Sequence, residues 1–292
     1  MNRRKFLAGL GLSMMPWGTG ALANLKQSLP HSDTMPVLFI GHGSPMNAIE
    51  DNRFSQGWKV LGKQIPEPAA ILCISAHWLT RGSFVSTASS PETIHDFGGF
   101  PQALFDTQYP AAGSPEGAEL VRDLVRDKQG ERTIVADESR GLDHGTWSVL
   151  VPMFPKANIP VFQLSINYYQ PMEYHYQLAK QLSELRNRGV LIIGSGNIVH
   201  NLRELQQADQ GYDWANEFDE AIKDRLLAGD YQSVLNYWKF GRAAELSVPT
   251  PDHYIPLLYA MGLQRPKDKV RFANEWLTKG AISMRSVIWE ES

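Results

Sequence analysis

Three times in this sequence a short apolar run gives way to small residues and then to a histidine. The stretches are Val37-Leu-Phe-Ile-Gly-His-Gly-Ser-Pro-Met46, Ala70-Ile-Leu-Cys-Ile-Ser-Ala-His77-Trp78 and Val190-Leu-Ile-Ile-Gly-Ser-Gly-Asn-Ile-Val-His200-Asn201. Continuous apolar runs of this length read as strands buried on both faces, as in parallel and mixed sheets. In such sheets the ligand-binding loops gather beyond the carboxyl ends of the strands. Several strands that each end on a histidine therefore deliver imidazoles to one edge. The expected fold is a single α/β domain with a central mixed or parallel sheet, helices on both faces, and a metal site at the strand C-terminal ends.

The rest of the chain supplies the alternating pattern that this fold needs. Strands are expected at 37–40, 69–75, 84–87, 133–136, 161–166, 190–193 and 281–288. Helices are expected at 54–61, ending near Gly62, and from a Ser114 cap with Pro115 at the first helical position to about residue 127. Further helices are expected from Ser148, at 172–188 with a stop at Gly189, at 214–227 and 231–238, and after Thr250-Pro-Asp-His-Tyr254. Residues 91–115 form a long loop whose Phe97, Phe100 and Phe105 argue for a substrate cover, since loops of this length inside compact domains are usually functional or disordered.

Composition excludes several classes. A hydrophobic content of 43% with 20% charged residues suits a globular protein with a substantial core. A formal net charge of −3 and the lack of a long Lys/Arg run argue against a nucleic-acid partner. The single cysteine, Cys73, lies inside an apolar run and reads as a buried hydrophobe. At the N-terminus, basic residues around Arg3-Arg4-Lys5 precede a short apolar stretch and Ala21-Leu-Ala23, which reads as a secretory signal. The paired arginines followed by Phe6-Leu7 resemble a twin-arginine export signal, implying the twin-arginine machinery as a partner and a periplasmic location, or a cytoplasmic one if the leader is not used. The apolar stretch is too short and glycine-broken for a membrane span. Residues 1–23 are assigned to the signal, 24–35 to a polar lead-in and 36–292 to the catalytic domain. Removal of the signal takes away three cations and no acid, moving the charge to −6.

Of eight histidines, His31 in the lead-in and His175 on a helix read as structural. The other six, His42, His77, His95, His144, His200 and His253, stand beside small or acidic neighbours that leave room for a ligand. Asp143 and Asp252 directly precede two of them and could orient those rings through the second nitrogen. Imidazole suits zinc, copper, iron and nickel, and one cysteine rules out a thiolate-rich structural zinc site. Two motifs are set aside. Gly194-Ser-Gly-Asn-Ile-Val199 lacks the third glycine of a dinucleotide fingerprint, and Gly41-His-Gly-Ser44 is not a serine nucleophile elbow.

Together, Gly41-His-Gly-Ser-Pro-Met46, Ser75-Ala-His-Trp78, Thr93-Ile-His-Asp-Phe-Gly-Gly-Phe-Pro101, Asp143-His-Gly-Thr-Trp147, Gly194-Ser-Gly-Asn-Ile-Val-His-Asn201 and Pro249-Thr-Pro-Asp-His-Tyr254 resemble the DOPA-type, class III extradiol ring-opening dioxygenases. The motifs run in order through about residues 36–290. The resemblance implies a metal set of His42, His77, His200 and His253, with His144 as general acid/base and His95 and the Phe97–Phe100 loop shaping the pocket. His200 stays open between ligand and proton carrier. It also implies a small catechol substrate, dioxygen, and one divalent metal: Fe(II) for activity, with Zn(II) the ion retained on purification. Two other readings of the same histidines are a zinc-dependent hydrolase and a non-catalytic metal-binding relative.

Overall fold

In the computed structural model, which describes Leu29 and residues 32–291, the apolar runs form the centre of one sheet. The chain lays down β1 (Val37–Gly41), β2 (Ala70–Ser75), β3 (Leu79–Thr80), β4 (Ser83–Ser86), β5 (Ile134–Asp137) and β6 (Val161–Gln163). It continues with β7 (Ile166–Asn167), β8 (Val190–Gly196), β9 (Asp268–Ala273), β10 (Leu277–Thr278), β11 (Ile282–Ser283) and β12 (Ser286–Glu291). Six of these make a sheet in the order β6-β2-β8-β1-β12-β9. The first four are mutually parallel, and β12 runs antiparallel to both of its neighbours, β1 and β9, so the sheet is mixed. The signal peptide expected over 1–23, most of the lead-in and His31 lie outside the described residues.

β8 lies between β1 and β2, with Gly41 opposite Gly196 and Ser75 opposite Ser195. That register lines up three strand ends and sets His42 and His77 next to each other. Alternate residues feed two cores. Val37, Phe39, Leu72, Ile74 and Ile192 face the helices Met172–Gln181 and Ile255–Gly262, while Leu38, Ile40, Ile71, Cys73 and Ile193 face Arg53–Gln64 and His144–Met153. Each fully buried Ile, Leu or Val side chain contributes about 1.5–3 kcal/mol, so these short central strands carry a large share of the stability.

Several elements differ from the sequence expectation. The first helix runs through Gly62 to Gln64, because Gly62 marks a close approach: a Cβ there would lie 2.3 Å from the Met153 carbonyl oxygen. The helix expected from Ser148 begins at His144, capped by the Asp143 carboxylate, which accepts from Thr146 N–H at 3.1 Å. The 172–188 helix becomes 3-10 from Ser183, although Gly189 ends it with φ +69° as expected. The strand expected at 190–193 extends to Gly196, and the one at 281–288 divides into β11 and β12. β9 was not anticipated: its Asp268-Lys-Val-Arg-Phe-Ala run is charged, as suits the sheet-edge position that it occupies. No helix among the described residues is long and apolar enough to cross a membrane.

His175 is fully buried, with Nδ1 3.2 Å from the Tyr259 hydroxyl and Nε2 unpartnered. Burial lowers its pKa to about 4. The unfolded chain takes up this proton near pH 6.5, so the native state gains stability above that pH and loses it as pH falls towards 4. Between pH 7 and 4.5 the wild type should therefore lose about 2–3 kcal/mol more stability than His175→Gln, read by urea denaturation.

Candidate active site

The end of β1 places His42 over the carboxyl edge of the sheet, its backbone N–H donating to Gly196 O at 3.0 Å. The turn after β2 brings in His77, whose N–H donates to Ser75 Oγ at 3.2 Å. His253 arrives just before the helix Ile255–Gly262, where Asn197 N–H donates to its carbonyl at 2.9 Å. The three rings form a nearly equilateral triangle with centroid separations of 5.1, 5.2 and 5.1 Å. One ring nitrogen from each lies within 4.8 Å of the others.

Hydrogen bonds fix where the ring protons sit. Ser195 donates its one hydroxyl hydrogen to Gly145 O at 2.5 Å, so it accepts from His42 Nδ1, 3.0 Å away. His42 Nε2 is then a free lone pair, and it faces His77 Nε2 at 3.2 Å. The Asp252 carboxylate likewise holds the His253 Nδ1 proton, as its place in the sequence suggested. Burial, reinforced by neighbouring imidazoles, pushes His42 well below its ordinary pKa, His77 to about 3 and His200 to about 2. Neutral imidazoles with converging lone pairs fit a divalent transition metal and offer little to a hard ion that prefers oxygen.

Two more histidines flank the triangle. His144 lies 3.8 Å from His77 between ring centroids, and His200 stacks on His253 at 3.5 Å and 6°. Asp96 supports His144, accepting from its backbone N–H and from Nδ1, each at 2.9 Å, while its other oxygen lies 3.6 Å from His77 Nδ1. Burial alone would raise the Asp96 pKa, but the hydrogen bonds from the His144 ring and backbone outweigh it and lower the carboxyl to about 2. The sequence reading singled out Asp143 for the task that Asp96 performs. Asp143 instead caps its helix and takes Ser75, Arg140 and Gln163 as partners, at 2.7, 2.6 and 2.7 Å. His95 does not line the cavity. Its Nε2 meets Thr107 O at 2.9 Å, and its ring packs among Phe97, Phe105 and Trp147. It steadies the loop, and the adjacent Asp96 reaches the site. The signal for Asp96 was present in Thr93-Ile-His-Asp-Phe, one residue from the histidine that drew attention.

Above the triangle is a cavity of about 570 Å³, with Met46, Phe97, Phe100, Leu202, Ile282 and Met284 on its walls. Its size and apolar walls over a small polar floor suit a compact aromatic ligand. Residues 30–283 match the family model described as the catalytic LigB subunit of aromatic ring-opening dioxygenase. The chain belongs to this extradiol dioxygenase family. It is 42% identical over 268 residues to 4,5-DOPA dioxygenase extradiol of Escherichia coli K12, covering 90% of this chain and 97% of that protein. The enzyme of the same name from Beta vulgaris is 39% identical over 248 residues, covering 82% and 91%. A crystal structure of an uncharacterized Escherichia coli K12 protein superimposes with a TM-score of 0.75 at 38% identity, covering 87% of this chain and 99% of that one.

In this dioxygenase the strand glycines allow the turn that carries His253 to approach. A Cβ at Gly196 would lie 2.1 Å from His253 O, and one at Gly194 2.3 Å from Pro256 O. Gly196→Ala should cost about 1–3 kcal/mol in denaturant unfolding and weaken zinc binding in calorimetry. Gly98→Ala, whose methyl meets nothing within 4 Å, should change neither.

Proposed function

We propose that this protein is a non-haem, Fe(II)-dependent enzyme that opens a DOPA-like catechol ring beside its two hydroxyls. Dioxygen is the co-substrate and the product is of the muconic semialdehyde type. The observation that carries this reading is the His42–His77–His253 triangle at the floor of an apolar cavity, with the His144–Asp96 pair at its edge. Identity to enzymes named 4,5-DOPA dioxygenase over most of the chain supports the substrate class.

In this proposal His42, His77 and His253 hold the metal through Nε2. His200, grouped with Asp252 and His253 apart from the other two, flanks the substrate as a proton-handling group in place of a fourth ligand. Bound iron would supply coordination for both catechol oxygens and the redox capacity for oxygen activation, whereas zinc would fit the imidazoles without that redox capacity. The protein does the rest. Phe97 and Phe100 hold the ring and exclude water. His144 keeps its Nδ1 proton on Asp96, which leaves Nε2 free to take a catechol proton. The Asp96 carboxylate then stabilises the imidazolium, and His144 returns the proton later in the cycle.

Oxygen uptake with L-DOPA, after anaerobic loading with Fe(II) or Zn(II), tests the reading. Iron-loaded protein should consume oxygen and form a yellow product, and zinc-loaded protein should do neither. His144→Ala should lower kcat by about 10²–10⁴-fold with its metal retained, and Asp96→Asn by about 10–100-fold. Activity with zinc and no oxygen uptake would instead favour a hydrolase on the same histidines. Inactivity with every catechol would leave a metal-binding relative.

We further propose that residues 1–23 form a cleaved twin-arginine-type signal and that the enzyme works in the periplasm. Replacing both Arg3 and Arg4 by Lys should leave uncleaved precursor in the cytoplasmic fraction.

A further inference from the structure

We propose that Lys279 is the substrate-selecting residue of the cavity and that it binds the carboxylate of an α-amino acid side arm on the catechol, with Glu50 available to the ammonium. The inference rests on the ring-opening reading and adds to it the part of the substrate that does not react.

Lys279 is the only Lys or Arg among the described residues that line the cavity. Of the acids that line it, Asp96 is held by His144, whereas Glu50 meets only an Asn52 amide through its side chain, at 3.2 Å. Neither Lys279 nor Glu50 forms an ion pair among the described residues. A ligand carrying one anionic and one cationic group would therefore meet one unengaged partner for each. A catechol lacking these groups would leave both solvated.

The backbone adds an independent observation. Lys279 sits in the turn between β10 and β11 with φ +51°, a region that glycine and asparagine occupy readily and lysine does not. It is the one non-glycine residue with positive φ among those lining the cavity. The turn is fastened in place: Gln206 N–H donates to Lys279 O at 3.0 Å, Tyr212 N–H to Gly280 O at 2.9 Å, and Gly280 N–H to Gln210 O at 2.9 Å. Ile282 in β11 also bridges to His200, which ties this hairpin to the histidine floor. A strained, anchored lysine at the mouth of an active site is a conformation that surrounding structure maintains, and its side chain is the feature that glycine would not supply.

The test compares L-DOPA with dopamine, the same catechol amine without its carboxylate, on the iron-loaded enzyme. Lys279→Asn suits the left-handed backbone and removes the cation, while Lys279→Arg keeps the cation. The ratio of kcat/KM for L-DOPA over dopamine should fall about tenfold in Lys279→Asn, through KM, and should recover in Lys279→Arg. A ratio within twofold of wild type, whether both rates fall together or neither moves, would overturn the assignment and leave Lys279 as a turn residue. Calorimetric binding of the two compounds to zinc-loaded protein gives a readout without turnover. If no catechol is consumed, the ring-opening proposal fails, while the same ratio taken from the two Kd values still decides the role of Lys279.

Discussion

An imidazole buried among other imidazoles stays uncharged, and an uncharged imidazole must choose which nitrogen keeps its proton. That choice governs this site. Ser195 takes the Nδ1 proton of His42, which leaves Nε2 bare, and Asp252 and Asp96 lie against Nδ1 of His253 and His144, which turns the opposite nitrogens of those rings to the site. Without those acceptors the same rings could sit in the same places and present N–H groups to a cation. The hydrogen bonds outside the triangle are therefore as much a part of the metal site as the rings are.

The sheet makes this arrangement possible at low conformational cost. β8 runs between β1 and β2, so Ser195 sits next to both His42 and the start of the His144 helix. One hydroxyl then reads two elements at once, accepting from a ring at the end of β1 and donating to a carbonyl in that helix. Beneath His77, the Asp143 carboxylate gathers Ser75, Thr146, Arg140 and Gln163 into one buried network. A buried carboxylate with this many donors is fully satisfied, so it fixes the turn rather than weakening it. Rigid support of this kind holds the histidine-bearing turns in place.

The cavity above divides into an apolar wall and a polar rim. Phe97, Phe100, Leu202, Ile282 and Met284 shape a space for a ring, and Glu50 and Lys279 add charged groups to the lining. The floor belongs to the sheet edge, whereas the cover comes from the aromatic loop and the β10–β11 hairpin. Substrate range can change through those loops while the strand ends stay as they are.

Much of this was legible in the residues themselves. Apolar runs ending at His42, His77 and His200 are short-range signals, because strand burial and the small residues after it are local properties. Cys73, Gly189 and the Ser114 cap were readable for the same reason. His253 and its partner Asp252 are neighbours in sequence, so their pairing was visible too. What could not be read locally was partnership across the fold. Asp96 meets His144 across 48 positions, and Ser195 meets His42 across 153. Asp143 was the nearer acid in sequence, but the helix start turned its carboxylate to the backbone amides and away from the ring. The sequence by itself determined the α/β sheet and the set of histidines delivered to its edge, since periodicity and residue chemistry suffice for both. Only the tertiary structure decided which acid serves which histidine and which three rings converge, because those depend on strand order and register.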